Sequence, residues 1–158
     1  MNKKIELNKP VPNFKFTATN HVDSDLAAQK GRVIVLYFYP KDNTPGCTSE
    51  SKDFRDYFND FYAANTTIFG ISRDSLTSHE KFKLKYNLPY ELISDQDEQL
   101  CQLFDVLKMK SLFGKQYQGL VRSTFVLDSE GKLLREWREV KVSGHAKEVL
   151  DYVKSLKK

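Results

Sequence analysis

Pro40, Thr44 and Cys47 lie in the run YPKDNTPGCTSESKDF, residues 39–54, which sets a single thiol three residues after a hydroxyl and directly behind Pro45 and Gly46. The chemistry this arrangement offers is nucleophilic. A cysteine in the first turn of a helix sits among backbone N–H groups that lack an intrahelical partner, at the positive end of the helix dipole, and both favour the reactive thiolate over the thiol. Pro45 restricts the backbone just before the helix, Gly46 lets a substrate approach closely, and Thr44 can aim its hydroxyl at the sulfur or at a substrate oxygen. The plainer reading of Cys47 is a small side chain filling a helix start. Its neighbours argue for a site, because a Thr-Pro-Gly loop between a central strand and a helix is where open α/β sheets place their ligands.

The elements that must position this loop follow from the hydrophobic pattern. Residues 31–40, GRVIVLYFYP, form a near-continuous β-branched and aromatic run, as in a strand buried on both faces of a parallel sheet. After Pro40 the period changes, and Phe54, Phe58 and Phe61 put one aromatic stripe on a helix predicted over 46–62. Residues 13–19 alternate as an early strand followed by a turn at Asn20 and His21. Residues 66–72 read as a second buried strand, 74–89 as a helix that stops at Pro89, YELISD as a short strand and 97–106 as a short helix. Strand and helix in alternation imply parallel crossover units. Residues 123–140 are instead two strands joined through Asp128, Ser129, Glu130 and Gly131, an antiparallel pair closing the sheet, and 143–156 is an amphipathic final helix. The expected fold class is α/β, a three-layer sandwich with helices on a mixed central sheet, in one domain spanning 1–158. Phe38 and Tyr39 are expected to wall the pocket beside Cys47, with the more common fate of a strand aromatic, the core, as the alternative.

Composition narrows the function. The chain has 158 residues with 40% hydrophobic content, enough for one substantial core. Its net charge of +4 comes from interspersed acids and bases, with no block resembling a nucleic-acid arm, and the terminal KSLKK reads as a solvated helix end. No apolar run approaches the roughly 20 residues that span a bilayer, and MNKKIELNKP lacks the apolar region of a signal peptide. A cytoplasmic protein is expected, without nucleic-acid or membrane partners. Its two cysteines, far apart, do not form a disulfide framework. His21, His79 and His145 show no metal-ligand spacing and read as surface or capping residues; no metal or cofactor is expected. No C-x-x-C pair is present, which disfavours a dithiol oxidoreductase.

The segment YFYPKDNTPGCT resembles the active-site segment of the peroxiredoxins, in which Pro, three residues, Thr, two residues and Cys correspond to Pro40, Thr44 and Cys47. The longer string is similar to the bacterioferritin comigratory protein, or Q-type, branch, and the similarity continues through SHEKF, LPYELISD, GKQYQGLVRSTFVLDSEGK and VSGHAKEVL. The resemblance implies a thioredoxin-like fold and a thiol peroxidase that reduces hydrogen peroxide and organic hydroperoxides through a sulfenic acid on Cys47. It also implies that Arg122 is the active-site arginine, stabilising the thiolate and binding the peroxide oxygens with Thr44 and the Cys47 N–H, while a monomer is the expected assembly. The plain alternative for Arg122 is an exposed strand-end charge. Glu50 is expected to orient Arg122 through a charge-assisted bond, or simply to suit a helix N-terminus.

The departure from the pattern concerns the second thiol. Many members of this branch carry a resolving cysteine at the position of Lys52, and others near Lys83; neither is present. Cys101 is the one internal candidate, with a buried small hydrophobe as its alternative. A one-cysteine mechanism is therefore expected, with an external thiol from thioredoxin, glutathione with glutaredoxin, or a second subunit. A peroxide-sensing module that passes oxidation to a partner is the competing function.

Overall fold

A computed structural model describes residues 5–156; the expected solvated end at Lys157 and Lys158 lies outside them. The run at 31–40 becomes β3 (Val33–Phe38), and its side chains divide strictly by period two. Ile34, Leu36 and Phe38 enter one core, whereas Val35, Tyr37 and Tyr39 enter another on the opposite face. Both neighbours of β3 are paired, in parallel with β4 (Thr66–Ser72) and antiparallel with β8 (Ser123–Leu127). The full order is β2 (Val22–Asp25), β1 (Lys15–Ala18), β5 (Glu91–Ser94), β4, β3, β8, β9 (Leu133–Arg138), a mixed seven-stranded sheet. The expected parallel crossovers are the β3–β4 and β4–β5 pairs, and β8–β9 is the expected antiparallel closure.

One face of the sheet carries α1 (Pro45–Asp56), α2 (Phe58–Ala63), α3 (Leu76–Tyr86) and α5 (His145–Ser155), which contribute Cys47, Phe54, Phe61, Phe82, Val149 and Val153 to a single cluster. The other face is covered by α4 (Gln99–Leu103) and the N-terminal segment, through Leu100, Cys101, Phe104, Val11 and Phe14. These are the three layers. The helix predicted over 46–62 is two helices, because Tyr57 at φ −97°, ψ 7° ends α1 and caps α2. The break leaves Phe54 and Phe61 fully buried and Phe58 only partly so.

Two pairings were not anticipated. β2 hairpins onto β1 through Asn20 and His21, both at positive φ, and its sequence VDSD lacks an apolar face. A separate ribbon, β6 (Leu107–Leu112) with β7 (Lys115–Leu120), turns through Phe113 and Gly114 and does not join the main sheet.

α1 is fixed to the sheet by tyrosines. The Tyr37 ring stacks on Phe54 with centroids 4.6 Å apart, and its hydroxyl donates to Ser51 Oγ at 2.9 Å. Tyr90 donates to the Ser51 carbonyl at 2.8 Å and lies 2.7 Å from the Tyr37 hydroxyl. Gly70 of β4 makes room for this, since a Cβ there would stand 2.8 Å from both the Tyr37 hydroxyl and a Leu92 methyl. Buried hydroxyl networks of this kind hold one geometry because each unmade bond is costly.

Candidate active site

β3 delivers the chain into the loop 40–44, and Thr44, extended at φ −101°, ψ 157°, is the N-cap of α1. Pro45 and Gly46 are the first helical residues, and the first intrahelical bond runs from Thr48 N–H to the Thr44 carbonyl at 2.8 Å. The N–H groups of Gly46 and Cys47 precede that bond and point out of the helix end. Cys47 is buried at 1% exposure, whereas Gly46 before it is exposed and Thr44 half-buried.

Arg122, just ahead of β8, reaches this helix end from the strand paired directly with β3. Its Nη2 lies 3.4 Å from Cys47 Sγ and its Nη1 donates to Glu50 Oε1 at 2.6 Å, so one planar guanidinium bridges the thiol and the carboxyl. Gly46 permits the approach: a Cβ there would sit 3.2 Å from Nη2. Glu50 is 1% exposed, and its second oxygen, Oε2, has no partner. Burial pushes the Glu50 carboxyl up to about 7, against the opposing pull of Arg122. Burial also works against the Arg122 charge, but Glu50 and Cys47 more than offset it and drive the guanidinium further up. A permanent cation therefore faces the sulfur.

Of the six residues singled out from the sequence, Cys47, Arg122, Glu50 and Gly46 meet in one place. Thr44 lies at the same helix end, with its hydroxyl donated to the Lys41 carbonyl at 2.8 Å instead of to the sulfur, which leaves its oxygen lone pairs for a substrate. Pro40, half-buried, opens the loop. Tyr39 is fully buried in the same cluster as Cys47, whereas Phe38 does not wall the pocket: the alternation of β3 sends it to the opposite core, against Phe104 and Phe125.

Sequence reasoning missed what holds the loop from below. Asp42 is buried, and its Oδ1 accepts from the Tyr39 hydroxyl at 2.6 Å. Its Oδ2 meets Ser78 Oγ at 2.8 Å and His79 Nδ1 at 2.7 Å, while its N–H donates to Asp74 at 2.8 Å. His79 is not a surface residue but fully buried, its Nε2 donating to the Ile93 carbonyl at 2.9 Å. His145 is likewise no exposed cap. It is buried 2.7 Å from Thr124 Oγ1, and desolvation lowers its ring to about 4, so it is neutral at pH 7. His21 is exposed, as expected. Among the described residues, Asp42, Asp74 and His79 are the one trio with ligand atoms close enough for a metal, within 4.8 Å. Each is already engaged by protein groups, Asp74 also by Ser72 at 2.6 Å.

Cys101 lies on the far side of the sheet from Cys47, in the other core. It is 0% exposed, and burial pushes its thiol well above the ordinary range, with Asp95 adding to the effect. A disulfide needs Cα atoms within about 7 Å, and here the sheet stands between the two thiols.

Comparison with known proteins places this geometry. The AhpC/TSA family matches residues 7–135. Peroxiredoxin Bcp of Bacillus subtilis is 46% identical over 152 residues, which are 96% of this chain and 97% of that protein. The crystal structure of a Cys-to-Ser mutant of Xylella fastidiosa PrxQ superposes with a TM-score of 0.92 at 35% identity, covering 98% of this chain and 99% of that one. A ligand complex of the Xanthomonas campestris bacterioferritin comigratory protein, described for its alkyl peroxide reduction activity, gives 0.88 at 44% identity over 92% of both chains. The chain belongs to the AhpC/TSA family, as a peroxiredoxin with the thioredoxin-like α/β fold. Within that family it is a thiol peroxidase of the Bcp/PrxQ kind.

Proposed function

We propose that Cys47 is the peroxidatic nucleophile, that Arg122 and Thr44 bind the peroxide, and that hydrogen peroxide and organic hydroperoxides are both substrates. The observation that carries this is the guanidinium bridge, with Nη2 at 3.4 Å from the sulfur and Nη1 at 2.6 Å from Glu50. The Cys47 thiolate attacks the nearer peroxide oxygen, an S–O bond forms as the O–O bond breaks, and one proton is taken up. The products are a sulfenic acid and an alcohol or water. Negative charge leaves the sulfur and builds on the departing oxygen, where Arg122 and the N–H groups of the helix start can receive it, while the Thr44 oxygen, its own proton on the Lys41 carbonyl, accepts from the peroxide O–H. Glu50 fixes the plane of the guanidinium through its charge-assisted bond. Gly46 and Pro40 shape the approach.

Reduction is assigned to an external thiol, because Cys101 lies in the opposite core. Thioredoxin and glutathione with glutaredoxin are the candidate reductants. One chain supplies every group named, which suits a monomer. Two free cysteines suit a reducing compartment, the cytoplasm. No helix among the described residues is long and apolar enough to cross a membrane. Cys47→Ser should abolish peroxide consumption while leaving the circular dichroism spectrum unchanged; retained turnover would refute the assignment. The same lack of a nearby second thiol favours one other reading, a peroxide sensor. Sustained peroxide consumption with thioredoxin or glutathione added separates the enzyme from the sensor.

A further inference from the structure

The β6–β7 ribbon stands apart from the sheet and shows side chains that folding alone does not call for. Of the seven large hydrophobic side chains exposed among the described residues, four lie on it: Met109, Leu112, Phe113 and Tyr117. Phe113 is 95% exposed and occupies the left-handed region at φ +54°, followed by Gly114 at +79°. Asn or Gly is the usual occupant of that first turn position, and a bulky side chain there is sterically disfavoured. Phe113 thus gains neither burial nor an easy turn. Residues 106–121 also contain three lysines and no carboxylate. The register puts Lys108, Lys110, Lys115 and Tyr117 on one face, where Lys108 meets an exposed Glu139 at 4.0 Å and Lys110 donates to the Leu120 carbonyl at 3.3 Å.

The ribbon rises from the same end of the sheet as the reactive loop. Its base is closed by Val121 N–H on the Val106 carbonyl at 2.7 Å and by Arg73, just past β4, on the Gln118 carbonyl at 3.0 Å. β7 ends two residues before Arg122. Six-residue strands project about 20 Å, enough to lie along the side of a small protein seated over Cys47.

We propose that this ribbon is the docking arm for the protein dithiol that reduces oxidised Cys47, a partner with an acidic face beside its own thiol and an apolar recess for Phe113. The proposal rests on the one-cysteine reading above. The partner's first thiol attacks the Cys47 sulfenic acid, forming a mixed disulfide and releasing water. Its second thiol then attacks its own disulfide sulfur, which frees Cys47 as a thiol and leaves the partner oxidised.

The test compares wild type with Leu112→Ser/Phe113→Ser and with Lys108→Glu/Lys115→Glu, using thioredoxin with its reductase, glutaredoxin with glutathione, and dithiothreitol as reductants. For whichever protein thiol supports turnover, each double variant should raise KM about tenfold or more, in line with loss of a buried aromatic or charged anchor. Dithiothreitol-supported turnover should stay unchanged. An unchanged KM overturns the proposal, as does a parallel loss with dithiothreitol, or turnover by dithiothreitol alone. Binding of wild type but not Leu112→Ser/Phe113→Ser to phosphatidylglycerol vesicles, with protein-thiol kinetics unchanged, overturns it in favour of a lipid contact. Failure of wild type to consume peroxide even with dithiothreitol is the separate signature that the Cys47 assignment itself is wrong.

Discussion

Replacing Glu50 by Gln separates the electrostatic role of this carboxyl from its packing. Glu50 is 1% exposed, with one oxygen on Arg122 at 2.6 Å and the other without a partner. Burial raises its carboxyl from the ordinary 4.5 to about 7, although Arg122 pulls the other way. The native state therefore binds this proton more tightly than the unfolded chain does. The resulting stabilisation is complete below about pH 4.5 and disappears as pH rises through about 7. At about 1.4 kcal/mol for each tenfold change in proton affinity, wild type should lose roughly 2–3 kcal/mol through this group between pH 5 and pH 8. Gln cannot titrate, so the variant lacks that component, while all other carboxyls are common to both proteins and cancel. Urea unfolding at fixed pH measures the difference: the stability of wild type minus that of Glu50→Gln should fall by that amount across the window. Parallel stability curves would refute the argument and leave Glu50 as a packing group. The physical meaning of the expected result is that, as pH rises through about 7, the fold takes on a destabilising buried charge, and in return Arg122 gains a charged partner that holds it on the sulfur.

Arg122→Met should slow single-turnover sulfenic acid formation by roughly 100- to 1,000-fold, the usual effect of removing one preorganised donor; a loss below tenfold would remove Arg122 from the chemistry. Gly46→Ala introduces a Cβ 3.2 Å from Arg122 Nη2. It should slow the same step about tenfold by displacing the guanidinium, while leaving stability unchanged or higher because Ala favours a helix over Gly by about 1 kcal/mol. An unchanged rate in Gly46→Ala would show that the guanidinium has room to spare. Cys101→Ala should lower stability by about 1 kcal/mol through a small buried void and leave dithiothreitol-supported turnover intact; lost turnover would make Cys101 a participant and end the one-cysteine reading.

What was legible in the sequence was whatever local period or turn chemistry decides. β3 was visible because it is buried on both faces, and the β8–β9 pair because Asp128 to Gly131 makes a recognisable turn, closed here by Gly131 N–H on the Asp128 carbonyl at 3.0 Å. The β6–β7 ribbon escaped because no face of its strands is buried along its length, so its lysines and glutamines interrupt any strand pattern. The break at Tyr57 escaped because no Gly or Pro marks it and the aromatic stripe runs on regardless.

The site divides in the same way. Thr44, Gly46, Cys47 and Glu50 lie within two turns of one helix start and could be read from their spacing, but Arg122 is 75 residues from Cys47 and was reached only through resemblance. His79 was misread for a related reason. Its helix has little amphipathic contrast, and its burial is set by Asp42, 37 residues earlier, whose carboxylate lies under the loop. Opposite faces of the sheet are also a long-range property. Nothing in the sequence near Cys101 says which core it enters, yet its placement across the sheet from Cys47 moves the reducing thiol from inside the chain to a partner and makes the ribbon beside Arg122 the surface to test.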